Sequence, residues 1–127
     1  MRVGCTAVLC TAVLTGCANQ TGERDASKAA AQFLDAAGRG DGQTACALLV
    51  PKTRDDLEVS NGQPCARSLP VDRLHGTVAA ASVWSDWAQV STDGGALFLT
   101  EFDSGWLITA AGCQPNGDAP YRCVVGG

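Results

Sequence analysis

The sequence predicts a single α+β domain, with helices first and an antiparallel sheet after them. Three observations carry this. Between Asp25 and Leu69, apolar residues recur at three- and four-residue spacing in an Ala-rich background. Between Thr77 and Ala111, short apolar runs alternate with turn residues at near-regular intervals. Finally, Cys46, Cys65, Cys113 and Cys123 form an even set spread across both halves, the pattern of a small domain stapled outside the cytosol.

The chain opens with Met1 and Arg2, a short positive end, followed by an uncharged apolar run from Val3 to Leu14. This is the layout of an export signal. At about twelve residues the run is too short to span a bilayer, which takes about twenty. The residues Leu14, Thr15, Gly16 and Cys17 resemble the lipobox of bacterial lipoproteins at every position. The resemblance implies that Cys17 receives a diacylglyceryl group, that residues 1–16 are removed, and that the lipidated cysteine becomes the new N-terminus. Two acyl chains, each gaining about 0.8 kcal/mol per buried methylene, hold a protein durably where one does not. The other reading of these residues is an ordinary secretory signal cut near Ala18. Ala18 to Arg24 is small and polar, so residues 17–24 are expected to form a lipidated tether reaching at most about 25 Å.

The domain proper is expected over residues 25–127. Asp25 or Ser27 can cap a helix running through Lys28 to Ala37, with Ala30, Phe33, Leu34 and Ala37 on one face. Gly38 and Gly40 end it. Asp41 offers a second cap for a helix from Gln43 to Val50, with Ala45, Leu48 and Leu49 inward beside Cys46, and Pro51 closes that element. A weaker turn is expected over Thr53 to Val59, then a loop from Ser60 to Pro64, then one helical turn from Cys65 to Leu69.

After His75 and Gly76 the texture changes. Four strands are expected at Thr77–Trp84, Trp87–Thr92, Ala96–Phe102 and Trp106–Ala111, separated by Ser85–Asp86, Asp93–Gly95 and Asp103–Gly105. Four antiparallel strands in chain order make a meander, with Val83, Val90, Phe98 and Leu107 as the expected buried face. A slip of one residue would exchange the faces. The remaining stretch, with Pro115, Asn116, Gly117 and Pro120 between Cys113 and Cys123, is expected to be a loop.

The formal charge is −4 over 127 residues. Losing Arg2 with the signal leaves eight basic against thirteen acidic side chains and about 111 residues, enough for one domain. No basic cluster remains to neutralise phosphates, which argues against nucleic acid as a partner. Of the seven cysteines, Cys5 and Cys10 fall in the export segment and Cys17 stands at the cleavage point. The other four allow three connectivities, and proximity along the chain favours Cys46 with Cys65 and Cys113 with Cys123. No CxxC pair occurs and the single histidine, His75, is remote from every cysteine, so neither a zinc site nor any other cofactor is expected.

Helices preceding a curved meander resemble the NTF2-like superfamily, in which the sheet wraps the first helix as a cone. More narrowly, Phe33-Leu34, Ala45 to Leu49, Pro64-Cys65, Gly105 to Cys113 and Tyr121 to Cys123 resemble small secreted lipoproteins of high-GC actinobacteria. That resemblance covers nearly the whole mature chain, supports the cysteine pairing and implies no activity. NTF2-like enzymes of the ketosteroid isomerase and SnoaL-like groups use acidic and hydroxyl groups at the mouth of an apolar cone for proton transfer. The groups here that could do so are Asp86, Glu101, Asp103 and Tyr121. Asp86 and Asp103 sit in turn positions that favour Asp for local reasons, and Glu101 alternates with apolar residues as a solvent-facing strand residue does. No GxSxG, HExxH or phosphate-loop pattern occurs, and no catalytic residue is assigned.

Trp84, Trp87, Trp106 and Tyr121 remain, as core cover or as an aromatic rim for a ligand or partner. The expectation is a non-enzymatic lipoprotein on the extracytoplasmic face of the membrane, with a binding or accessory role toward another envelope protein. Carriage of a small apolar ligand in the cone, or a divergent isomerase, are the alternatives.

Overall fold

The computed structural model describes the backbone of residues 15–127 and the side chains from Gln20 onward. The expected export signal, all but its last two residues, and the side chain of Cys17, the expected lipidation site, lie outside what it describes.

Helix α1 (Thr15–Gly38) buries Ala26, Ala29, Ala30, Phe33, Leu34, Ala36 and Ala37, the stripe that the spacing predicts. The small alanines let the helix lie close to the sheet, and Phe33 fills the space between them. The helix already runs at Thr15, the first described residue and ten before Asp25, so the stretch expected to be a tether is helical and neither Asp25 nor Ser27 is a cap. Adding a turn to an existing helix costs far less than nucleating one, which lets the polar residues Gln20 and Thr21 join it. At its other end, Gly40 takes φ +70°. The Gly40 N–H donates to Ala37 O at 3.0 Å and the Asp41 N–H to Ala36 O at 2.9 Å, the Schellman arrangement that glycine favours by having no Cβ.

Asp41 then caps α2 (Gly42–Ala47): its side chain accepts from the Thr44 N–H at 3.1 Å and from Thr44 Oγ1 at 2.7 Å. These two bonds hold the Asp41 carboxyl below its ordinary pKa. Helix α2 stops at Ala47, earlier than expected, because residues 48–50 pair with the sheet. Pro51 opens α3 (Pro51–Asn61) instead of closing α2, a position where its missing N–H leaves nothing unsatisfied. A turn of helix, α4 (Cys65–Ser68), and a 3-10 turn at Val71–Arg73 lead into the sheet.

The sheet has five strands, one more than expected: β1 (Val78–Trp84), β2 (Trp87–Thr92), β3 (Gly95–Phe102), β4 (Gly105–Asn116) and β5 (Ala119–Arg122). They pair antiparallel in chain order and do not close into a barrel. The additional strand comes from the stretch read as a loop, where two prolines mask the pairing of Gln114 with Arg122 and Asn116 with Ala119. Register shifts interrupt the β1–β2, β3–β4 and β4–β5 ladders, and such bulges bend and twist a sheet. The second edge of β4 is covered along its length. Ile108 exchanges bonds with Leu48 O at 2.7 Å and with the Val50 N–H at 2.9 Å. Ala111 pairs with Val125, and β5 completes the row.

The core lies between the helices and one face of the sheet: Ala88, Val90, Leu97, Leu99, Trp106 and Ile108 meet Ala26, Ala30, Phe33, Leu49 and Leu74. Val90 is buried and Val83 half-buried against this core, as expected. Phe98 and Leu107 are not on this face. Their neighbours Leu97, Leu99, Trp106 and Ile108 are, the one-residue slip that turns a strand over. Both expected disulfides are present. Cys46 and Cys65 join α2 to α4 with Cα atoms 6.1 Å apart, and Cys113 and Cys123 close the neck of the β4–β5 hairpin.

Candidate functional site

Residues paired across a sheet share a face, so the register fixes what the side away from the helices displays. Trp84 opposes Trp87, Trp87 opposes Thr100, and Thr100 opposes Leu107. The next row is Ser82, Gln89, Phe98 and Ala110. Tyr121 on β5 meets Phe98 edge-to-face, with ring centroids 5.2 Å apart. Ala96, Phe98, Ala110 and the Cys113–Cys123 bridge form a small second apolar cluster on this side. Thr100 and Thr109 share a hydroxyl hydrogen bond of 3.0 Å.

The four aromatic residues singled out in sequence therefore separate. Trp84, 58% exposed, and Trp87, 52% exposed, stand together on the outer face, with Tyr121 further along it. Trp106 turns the other way and is 6% exposed, with its Nε1 buried and without a hydrogen-bond partner. Phe102, two register steps from Phe98 on the same strand, is also exposed there, immediately before the β3–β4 turn. Alternation alone identifies Phe98 and Phe102 as one face. Which face it is depends on the helices, and their direction of approach is not written in the strands.

The outer face is apolar and hydroxylated, and strands β1 to β4 contain no Lys or Arg. Its carboxylates sit in the turns at its ends: Asp86 and Asp103 in the β1–β2 and β3–β4 turns at one end, Asp93 and Asp118 in the β2–β3 and β4–β5 turns at the other. Glu101 opposes Trp106 and so belongs to the helix side of the sheet. There it borders an open groove of about 330 Å³ with Thr21, Gly22, Asp25, Ser85 and Trp106. Asp86, Glu101 and Tyr121 are all exposed. Glu101 and Tyr121 lie on opposite faces, too far around the sheet to address one substrate atom together.

Between α1 and the sheet the space is occupied by side chains, chiefly Ala26, Ala30, Phe33, Leu97, Leu99 and Ile108. The larger hollows are grooves on the surface. One of about 620 Å³ runs between α1 and β1, bordered by Glu23, Arg24, Lys28 and Val78. Another, of about 420 Å³, lies between α3 and the chain's last glycines and is lined by Lys52, Thr53 and Asp56. There the Asp56 carboxylate accepts a 2.7 Å hydrogen bond from Lys52 and raises its pKa. Among the described residues no three His, Cys, Asp or Glu side chains gather as a metal site, and no helix is long and apolar enough to cross a membrane. His75 is exposed beside the β2–β3 turn, where a Cβ at Gly94 would strike its carbonyl oxygen.

Comparison with family models, curated proteins and solved structures gives no match. The two disulfides indicate an oxidising, extracytoplasmic setting.

Proposed function

We propose that this chain is a lipid-anchored protein of the extracytoplasmic membrane face, with a binding or accessory role and no catalysis of its own. The observation that carries the reading is the partition of the cysteines. Cys46 closes on Cys65 and Cys113 on Cys123, so the domain leaves no thiol for Cys17 to pair with. A cysteine in an exported chain with no partner in its own domain calls for a different use, and the preceding Leu14-Thr15-Gly16 supplies one: acylation. The bent meander with α1 on its helix-bearing face supports an NTF2-like cone, here packed with side chains. The exposed aromatic face outside that cone supplies a surface for contact.

The test follows the full chain in a bacterium that processes lipoproteins, by detergent phase partition. The unsubstituted chain is expected in the detergent phase and Cys17→Ala in the aqueous phase. Retention of Cys17→Ala in the detergent phase overturns the anchor.

A further inference from the structure

Three elements meet at one end of the molecule. Helix α1 runs antiparallel to β1: a Cβ at Gly22 would lie 3.6 Å from Val83 Cγ1, whereas the C-terminal part of the helix borders Gly76 and Thr77. Thr21, Gly22 and Asp25 from the start of α1 surround a single groove with Ser85 of the β1–β2 turn and Glu101 and Trp106 beside the β3–β4 turn. The two hairpin tips and the beginning of α1 therefore point the same way. Cys17 lies in the same helix four residues before Thr21, about 6 Å further along the axis in that direction.

The exposed aromatic residues gather at this end. Trp84 and Trp87 flank the Ser85–Asp86 turn, and Phe102 precedes the Asp103–Ser104 turn. An indole ring, apolar in body with one polar N–H, partitions to the boundary between headgroups and acyl chains. We infer that the tips of the β1–β2 and β3–β4 hairpins rest in the membrane interface, with Trp84, Trp87 and Phe102 at headgroup depth beside the lipid on Cys17. The inference rests on the lipid-anchor reading above. The occupant is a bilayer of zwitterionic headgroups, because the same tips carry Asp86 and Asp103 and no basic residue. Those carboxylates cannot enter hydrocarbon cheaply, so they hold the turns at the headgroup layer and set the depth of the rings. The anchor thus fixes orientation as well as location: the domain stands on its hairpin tips, with the Cys113–Cys123 end of the sheet away from the membrane.

The test uses the full-length, acylated protein reconstituted into phosphatidylcholine vesicles, with or without bromine near the carbonyl end of the acyl chains. Flotation reports the anchor and quenching of tryptophan emission reports the face. Two of the three tryptophans are placed at the interface, so bromolipid should quench about two-thirds of the emission. In Trp84→Phe/Trp87→Phe, only the buried Trp106 emits and quenching should nearly vanish. An unchanged melting temperature shows that this variant is folded. Protein that floats without being quenched overturns the inference and leaves the anchor standing. Protein that fails to float overturns both. Emission that shifts with protein concentration and not with bromolipid identifies a second copy of the chain on this face and also overturns it.

Discussion

Removing the Cys46–Cys65 bridge by Cys46→Ala/Cys65→Ala is expected to cost more stability than any exposed substitution. The bridge spans 19 positions. For a loop of that size, the chain-entropy relation gives about 3.3 kcal/mol of stabilisation through the unfolded state. Both half-cystines are buried in the main core, and the vacated sulfur volume adds about 1 kcal/mol in lost packing. A domain of about 100 residues loses about 4 °C of melting temperature per kcal/mol, so the double variant should melt about 15 °C below the parent. Differential scanning calorimetry on the oxidised proteins measures this directly. The matching pair Cys113→Ala/Cys123→Ala closes a loop of only 10 positions, worth about 2.8 kcal/mol by the same relation, and should lose less. A drop under about 5 °C for the first pair would mean that the unfolded chain gains little freedom when released. The entropic account of this staple would then be refuted.

Gly126 has φ +71°, and a Cβ there would sit 2.2 Å from the Thr109 carbonyl oxygen. Gly126→Ala should therefore cost about 2–3 kcal/mol in a urea titration. It should also speed amide exchange at Ala111 and Val125, which bond each other across the final turn; unchanged protection would refute the close approach. Asp41 titrates below its ordinary 3.8 in the folded chain because Thr44 donates to its ionised form. Its contribution to stability is therefore complete above that value and lost as pH falls through the lower, folded one. Asp41→Asn should be less stable than the parent at neutral pH, with a gap between urea midpoints that closes in acid. A gap that widens in acid would reverse the sign.

How much was legible follows from what each signal encodes. The stripe through Ala30, Phe33, Leu34 and Ala37 and the glycine stop after it are local, and they stand in the structure as read. So do the strand sequence from Val78 to Phe102 and the two disulfides. Phe98 and Leu107 went to the wrong face because alternation gives a period without an origin: the strand looks the same from either side until the helices choose one. The helix runs through Asp25 back to Thr15, the first described residue, because Gln20, Thr21 and Gly22 are poor formers individually, yet join a helix already nucleated downstream. Strand β5 was hidden because Pro115 and Pro120 deny the donors that a strand normally shows. Its pairing is imposed by the bridge at its neck, a tertiary constraint absent from local sequence. The aromatic face was half legible, since Trp84 and Trp87 stood out as residues while the direction separating them from Trp106 came only with the register.

The distribution of restraints along the sheet bears on what its two ends can do. At the β2–β3 turn, Asp93 accepts the Thr77 N–H at 2.6 Å, Thr92 Oγ1 bonds Gly95 O at 2.6 Å, and Gln114 reaches Gly94 O. The Cys113–Cys123 bridge lies in the same row, because Cys113 opposes Ala96. That end is tied by side chains from three separate segments. Among the described residues the opposite end has no disulfide. Its order comes from the backbone ladder, which extends past β2 through the 2.8 Å bond from the Glu101 N–H to Asp86 O. Ladder bonds fix where the turns are, and Trp84, Trp87 and Phe102 stand on that ordered ladder with about half of each side chain in water. Large apolar rings held in water by an ordered hairpin forgo the burial worth about 25 cal/mol per Å². A fold that pairs both edges of β4 and staples one end still leaves these rings about half in water, and that unrecovered burial is what contact with a membrane interface would supply.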